Sequence, residues 1–426
     1  MKRYMKWLAG VFFALVLLMA AVASALQHWV GTDDFRSRVS QQISAAVGVP
    51  VQLGRISVDV WPLPAVALEQ VQLKSRPPLT LERIEARPAW AGLMRGRLEI
   101  ATLVVREAVI PEQAVDAITA AIQKRQRNAP AKAEPEAGSR AAMDFIPQRT
   151  VLDHVTWVDA KGGSITIDAQ AQLDDDGMPA SAQLSVLKGH LQGAKATLQR
   201  QRDHWALRAA IGGGTVAGKL QLHAGAKGAS LLQGQFDTAN VEVSALTAPS
   251  RTLTGRLEAH TTVRAEFREL GALVEALQSQ TRFTVHDAVV HGIDLAQAVK
   301  TVGLSRGGET RLDALAGNVT TQGRAVQLTN LVATSGVLSA NGAVALAANR
   351  SLSGRITVDL ASGTTAGTLG VPLAVGGTLD APSVTLTRGA LLGAAVGTVL
   401  APGVGTGAGA KLGDRLGEGL RGLFGN

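Results

Sequence analysis

From Val151 onward this chain repeats one pattern, an apolar residue at every second position. Ile165, Ile167, Ala169, Ala171 and Leu173 alternate without a break, as do Trp205, Leu207, Ala209 and Ile211, and then Leu220, Leu222 and Ala224. The longest run is Leu257, Ala259, Thr261, Val263, Ala265 and Phe267, with Glu258, His260, Thr262, Arg264, Glu266 and Arg268 between them. Successive side chains of a strand point to opposite faces, so each run predicts a strand with one dry and one wet face. Polar or glycine-rich turns at Lys161–Gly163, Asp174–Gly177 and Gly212–Gly214 separate the runs. The expected fold is mainly β with a few helices, an elongated, curled, antiparallel sheet. Its apolar faces must either cover one another or enclose something apolar. Many inward positions are Ala, Thr or Val, which leave room. A narrow sandwich packed with small residues is the alternative.

The amino-terminal part reads differently. Trp7–Leu26 carries no charge and follows Lys2, Arg3 and Lys6. At ~1.5 Å per residue the run spans ~30 Å, the thickness of a bilayer core, and basic residues stay on the cytoplasmic side. One transmembrane anchor is expected, with Met1 cytoplasmic and the bulk of the chain across the membrane. A cleaved signal peptide ending at Ala23-Ser24-Ala25 is the competing reading. Thr32 to Val47 has the cap, acidic first turn and four-residue repeat (Phe35, Val39, Ile43) of an amphipathic helix; its stripe would lie on the membrane surface or close the end of a sheet, and its narrowness favours the sheet. In the strands that follow, Val66 and Leu68 are out of phase with Val71 and Leu73, which predicts a bulge at Glu69–Gln70.

Composition excludes several functions. The chain has no cysteine, so disulfides, thiolate zinc sites and a cysteine nucleophile are absent. Aromatics are only 4% of residues, too few for base-stacking platforms, and nucleic acid is not an expected partner. The net charge of +8 suits anionic lipid head groups. No catalytic constellation stands out. Gly303 to Gly307 spells G-x-S-x-G but closes a helix expected from Asp294, the reverse of a nucleophile elbow. His286 and His291 lack ligand spacing and are expected on opposite faces of a strand. Asp174-Asp175-Asp176-Gly177 is a polar turn without the rest of a calcium loop. Neither an enzyme nor a cofactor or metal is expected.

Two stretches resemble the AsmA family. The first runs GRISVDVWPLPAVALEQVQL and then LERIEARPAWAGLMRGRLEIATLVVREAVI, in which Leu93, Gly96, Ile100, Leu103 and Ile110 fit the family pattern and Ala108 replaces its usual proline. The second is Thr281–Val299 with the strands after it, marked by Gly292-Ile293-Asp294-Leu295, Thr310, Leu312, Gly342 and Asp359-Leu360. Val371–Leu386 is similar to the family's terminal strand pair. The resemblance implies repeated β-units forming a groove with an apolar floor, in a protein of the bacterial inner membrane and periplasm linked to lipid traffic and outer-membrane integrity. The implied partners are phospholipid or another acyl lipid, the inner membrane itself and an envelope protein. A non-enzymatic scaffold for envelope proteins is the other reading. The expected floor residues are Ile165, Ile167, Leu257, Val263, Val344 and Ile356. The expected parts are 1–26 (anchor), 27–122 (amino-terminal helix and strands), 123–150 (linker), 151–388 (β domain) and 389–426 (Gly-rich tail with a short amphipathic helix).

Overall fold

The computed structural model describes residues 32–59, 65–89, 92, 99–128, 147–160, 162–225, 228–248, 250–268, 272–301, 307–323, 325–360 and 370–391. The apolar run Trp7–Leu26, most of the expected linker and almost all of the tail lie outside them. Among the described residues no helix is long and apolar enough to cross a membrane. Twenty strands account for most of what is described, so the chain is mainly β, with few helices. Internal contacts divide it into two units, Met1–Gln199 and Arg200–Asn426.

In the first unit, helix α1 (Asp33–Val47) starts at Thr32, whose side chain accepts the Phe35 amide, and stops at Gly48 in the left-handed region. Its Phe35, Val39 and Ile43 pack on buried Val51, Leu53, Ile56 and Val71. This helix therefore covers a sheet, as its narrow stripe predicts. Polar contacts fix the fit: Ser44 Oγ accepts the Val51 amide at 2.8 Å, Ser40 Oγ donates to the Val51 carbonyl, and Arg36 donates to the Gly54 carbonyl at 2.8 Å.

Strands β1 (Val51–Gln52) and β2 (Arg55–Asp59) lie end to end along β3 (Ala65–Leu73). The sheet continues antiparallel through β4 (Leu79–Pro88) and β5 (Ile100–Pro111). Strand β6 (Arg149–Val158) then pairs parallel to β5, with Arg106 opposite Asp153. This parallel pair departs from the expected antiparallel rule. A parallel neighbour needs a long crossover, and helix α2 (Glu112–Asn128) supplies its first part. The helix thus takes in 123–128, the start of the stretch expected to be a linker. Antiparallel pairing resumes through β7 (Ser164–Leu173), β8 (Pro179–Lys188) and β9 (Lys195–Gln201).

The second unit is a sequential antiparallel meander. Its strands are β10 (His204–Ile211), β11 (Gly214–Ala224), β12 (Ser230–Glu242), β13 (Leu253–Phe267), β14 (Gln278–His291) and β15 (Glu309–Gln322). They are followed by β16 (Ala325–Thr334), β17 (Leu338–Leu346), β18 (Leu352–Leu360), β19 (Val371–Thr378) and β20 (Ala381–Leu386). Short helices α3 (Val243–Thr247) and α4 (Leu273–Ala276) follow β12 and β13. Helix α5 (Leu295–Lys300) begins, as expected, at Asp294, whose carboxylate accepts the Gln297 amide at 2.8 Å. The sheet of this unit curls on itself, because the turn between β19 and β20 reaches the segment before β13. There Ser250 and Thr252 donate to the Leu379 carbonyl at 3.4 and 2.5 Å.

Single residues bend the strands. Gln70, Glu107, His154, Asn240, Asp287 and Asn330 all have a left-handed backbone inside a strand, with φ between +49° and +55°. The predicted irregularity in β3 is Gln70 itself (φ 53°). The residue after each turns inward. Val71 and Val155 are buried, and Ala108, Val241 and Ala288 are fully so (0%). Ala108, where the resemblance noted above would place a proline, is the small residue that the bend at Glu107 drives into the interior.

A candidate apolar groove

In the second unit the apolar face is filled at one end and half-covered elsewhere. The filled part gathers Val285, Ala288, Leu312, Leu338, Val358, Leu373, Val384 and Leu386 around Leu295 and Ala298 of helix α5. Leu373, Val358 and Val285 are among the largest fully buried side chains of the described residues. Thr310, itself buried, holds the helix in place. Its hydroxyl donates to the Ile293 carbonyl at 2.7 Å and accepts the Leu295 amide at 2.9 Å. The Gly-Ile-Asp-Leu motif is therefore a stopper, one turn of helix pinned into the sheet by a threonine on the next strand.

Away from the stopper the same face is only half-covered. Trp205, Leu207, Leu220, Leu222, Leu232, Phe236, Thr261 and Val263 are all partly exposed, and none belongs to the filled cluster. The floor is kept low by glycines. A Cβ on Gly234 would stand 2.7 Å from Leu220 Cδ2, 2.8 Å from Val263 Cγ2 and 3.1 Å from Phe236 Cε2. Three large side chains from three strands thus lie over one bare backbone position. Gly218 does the same for the Phe236 ring, which it contacts directly. Lying flat, these side chains do not stand up to fill the space above them.

The six expected floor residues are distributed over both units. Ile165 and Ile167 are half-buried on β7, where Ile165 faces Trp157 and Ile167 faces Val155 on one side and Val186 on the other. Leu257 and Ile356 pack against the stopper cluster, on its margin. Val263 and Val344 are partly exposed and lie outside that cluster. Val344 leans on Gly354 across β17 and β18, with its Cγ2 3.0 Å from where a glycine Cβ would be. Sequence reasoning missed the stopper as a filled region and missed Phe236, whose alternation with Gly234 and Thr238 was the available signal.

The wet face carries paired rather than reactive polar groups. His260 meets Asp237 at 2.7 Å, His286 meets Glu258 at 3.6 Å and His291 meets Glu309 at 3.8 Å. His286 and His291 share this outer face, against the expectation of opposite faces, because the bulge at Asp287 adds a residue between them. In the first unit His154 Nδ1 lies 2.6 Å from Asp153, and its amide donates to Asp168 at 2.8 Å. The Asp153 hydrogen bond, reinforced by the nearby carboxylates, raises the His154 pKa above its ordinary value. Arg106 lies 3.7 Å from Asp153 and already offsets part of that negative charge. The Asp174–Gly177 stretch is the expected turn, with the Gly177 amide donating to the Asp174 carbonyl at 2.9 Å. Of the G-x-S-x-G string only Gly307 is among the described residues.

The AsmA family model matches residues 1–175. This part of the chain is AsmA-like. The match covers the stretch with Leu93, Gly96, Ile100, Leu103 and Ile110, and it ends before the Gly292–Leu295 motif that the AsmA-like resemblance also rested on. No curated protein and no solved structure matches the chain.

Proposed function

We propose that this AsmA-like chain is an inner-membrane-anchored, periplasmic protein that shelters the acyl chains of phospholipid or a similar lipid on its apolar β-floor, without catalysing a reaction. The observation that carries the reading is the half-exposed row from Trp205 to Val263, levelled over glycines and left outside the packed cluster. Each methylene removed from water there contributes ~0.8 kcal/mol. A floor of apolar side chains whose few hydroxyls pair with one another, as Thr261 does with Thr281, binds chains without fixing their register, so a lipid can slide. The stopper around α5 limits the ligand to the uncovered part of the second unit. The uncharged run Trp7–Leu26 behind Lys2, Arg3 and Lys6 supports the anchored topology.

A photo-crosslinking amino acid placed at Val263 in the full chain, in cells, tests this reading. Lipid adducts are expected at 263 and not at 262, the neighbouring position on the opposite face. Protein adducts at 263 with no lipid would favour the scaffold reading instead. Equal lipid labelling from both positions would exclude a one-sided groove.

A further inference from the structure

The wet face of the second unit carries an ordered set of hydrogen-bonding groups that the lipid reading does not use. One row crosses five strands: Lys219 faces Gln235, which faces Thr262, then Gln280 and Thr320. Neighbouring strands stand ~4.8 Å apart, so the row offers an amide or hydroxyl about every sugar-ring length. Two adjoining depressions of about 510 and 460 Å³ lie along it and share Thr262 and Gln280.

Their charge is one-sided. Lys219 and Arg264 line the first depression and Arg282 and His260 the second, while no carboxylate lines either among the described residues. Arg264 and Arg282 are exposed and form no ion pair among the described residues. The acidic groups of this face sit outside the depressions. Asp237 is held by His260, Glu258 by His286, and Glu266 lies farther along β13 beyond Arg264.

We propose that this face binds an acidic glycan strand laid across β11 to β15. Glutamine and threonine each donate and accept, which suits hydroxyl and acetamido groups, and a free arginine pairs a sugar carboxylate in bidentate fashion. Two adjoining depressions in line fit a linear chain better than a flat bilayer. The few cations spread among amides fit a polymer with occasional acid groups better than one with a phosphate at every unit. The row from Lys219 to Thr320 lies on the face opposite the lipid floor, and the backbone at Gly234 and Val263 separates the first depression from that floor.

The test uses the full chain in detergent and hyaluronate oligosaccharides, which alternate acetamido and carboxylate sugars, followed by titration calorimetry. Saturable binding that weakens with salt is expected, with an affinity at least ~10-fold lower in the Arg264→Gln, Arg282→Gln double variant. Gln280→Leu, which keeps every charge, is expected to weaken binding as well, and Leu207→Asp, on the lipid floor and lining neither depression, to leave it unchanged. Thermal melts of each variant separate lost binding from lost folding. The proposal is overturned if hyaluronate does not bind. It is overturned equally if poly-glutamate or anionic phospholipid vesicles bind as tightly at matched charge, or if the folded double variant binds as the parent does.

Discussion

Thr252 donates its hydroxyl to the Leu379 carbonyl at 2.5 Å, joining positions 127 residues apart. Ser250 Oγ stands 2.7 Å from the Thr252 hydroxyl and 3.4 Å from the same carbonyl, so its single proton is shared within a cluster of two hydroxyls around one turn carbonyl. This contact holds the last hairpin against the start of β13 and closes the filled end of the second unit. Replacing Thr252 by Val and Ser250 by Ala removes both donors and leaves the half-buried carbonyl unsatisfied. A loss of about 1–3 kcal/mol is expected in denaturant unfolding. Hydrogen exchange should rise first in β19 and β20, and uniform exchange across the unit would show that the contact is not a local clasp.

The two halves of the apolar face should answer mutation differently. Leu373→Ala, inside the stopper cluster, is expected to cost about 2–5 kcal/mol, because the packed surroundings collapse only partly into the gap. Val263→Asp, on the half-exposed floor, should leave the melting temperature close to that of the parent and remove co-purified phospholipid in native mass spectrometry. Unfolding by Val263→Asp would mean that the floor is a packed core and not a groove.

The bends are also testable one residue at a time. A left-handed backbone costs a β-branched residue about 1–2 kcal/mol, whereas glycine adopts it freely. Asn240→Val should therefore destabilise by about that amount, and Asn240→Gly by much less. A chemical denaturation series reads the difference. Equal effects from the two substitutions would assign the cost to the lost side chain and not to the backbone.

Acidity should act through His154. Its hydrogen bond to Asp153 raises its pKa in the folded chain, so the interaction stabilises fully below the unfolded value of about 6.5 and fades as pH rises through the folded value. Imidazole titration followed by NMR should place His154 above that ordinary value and bring it down in Asp153→Asn. An unchanged midpoint in that variant would remove Asp153 as the cause.

Much of this architecture was legible in residue order, for reasons that also mark where legibility ended. Alternation revealed the strands because a half-buried strand has no other way to separate wet from dry, and the phase break at Glu69–Gln70 located a real bend. Asp294 announced α5 through its cap. The parallel pairing of β6 with β5 was not legible, since period two is the same for either direction and only the crossover distinguishes them. The division of the floor was hidden for a different reason. Val285 and Val263 occupy equivalent positions in the pattern, yet one is packed beneath α5 and the other is not, and that depends on where a distant helix and hairpin land. The recurrent bends were partly visible: Asn240, Asp287 and Asn330 are each a polar residue favouring the left-handed region just ahead of Val241, Ala288 and Leu331.

Because each bend belongs to a single residue on a single strand, curvature here is modular. Duplication of one hairpin would carry its own bend with it and extend the sheet without redesigning any neighbour. A sheet built this way can gain or lose a hairpin and keep its local curvature elsewhere.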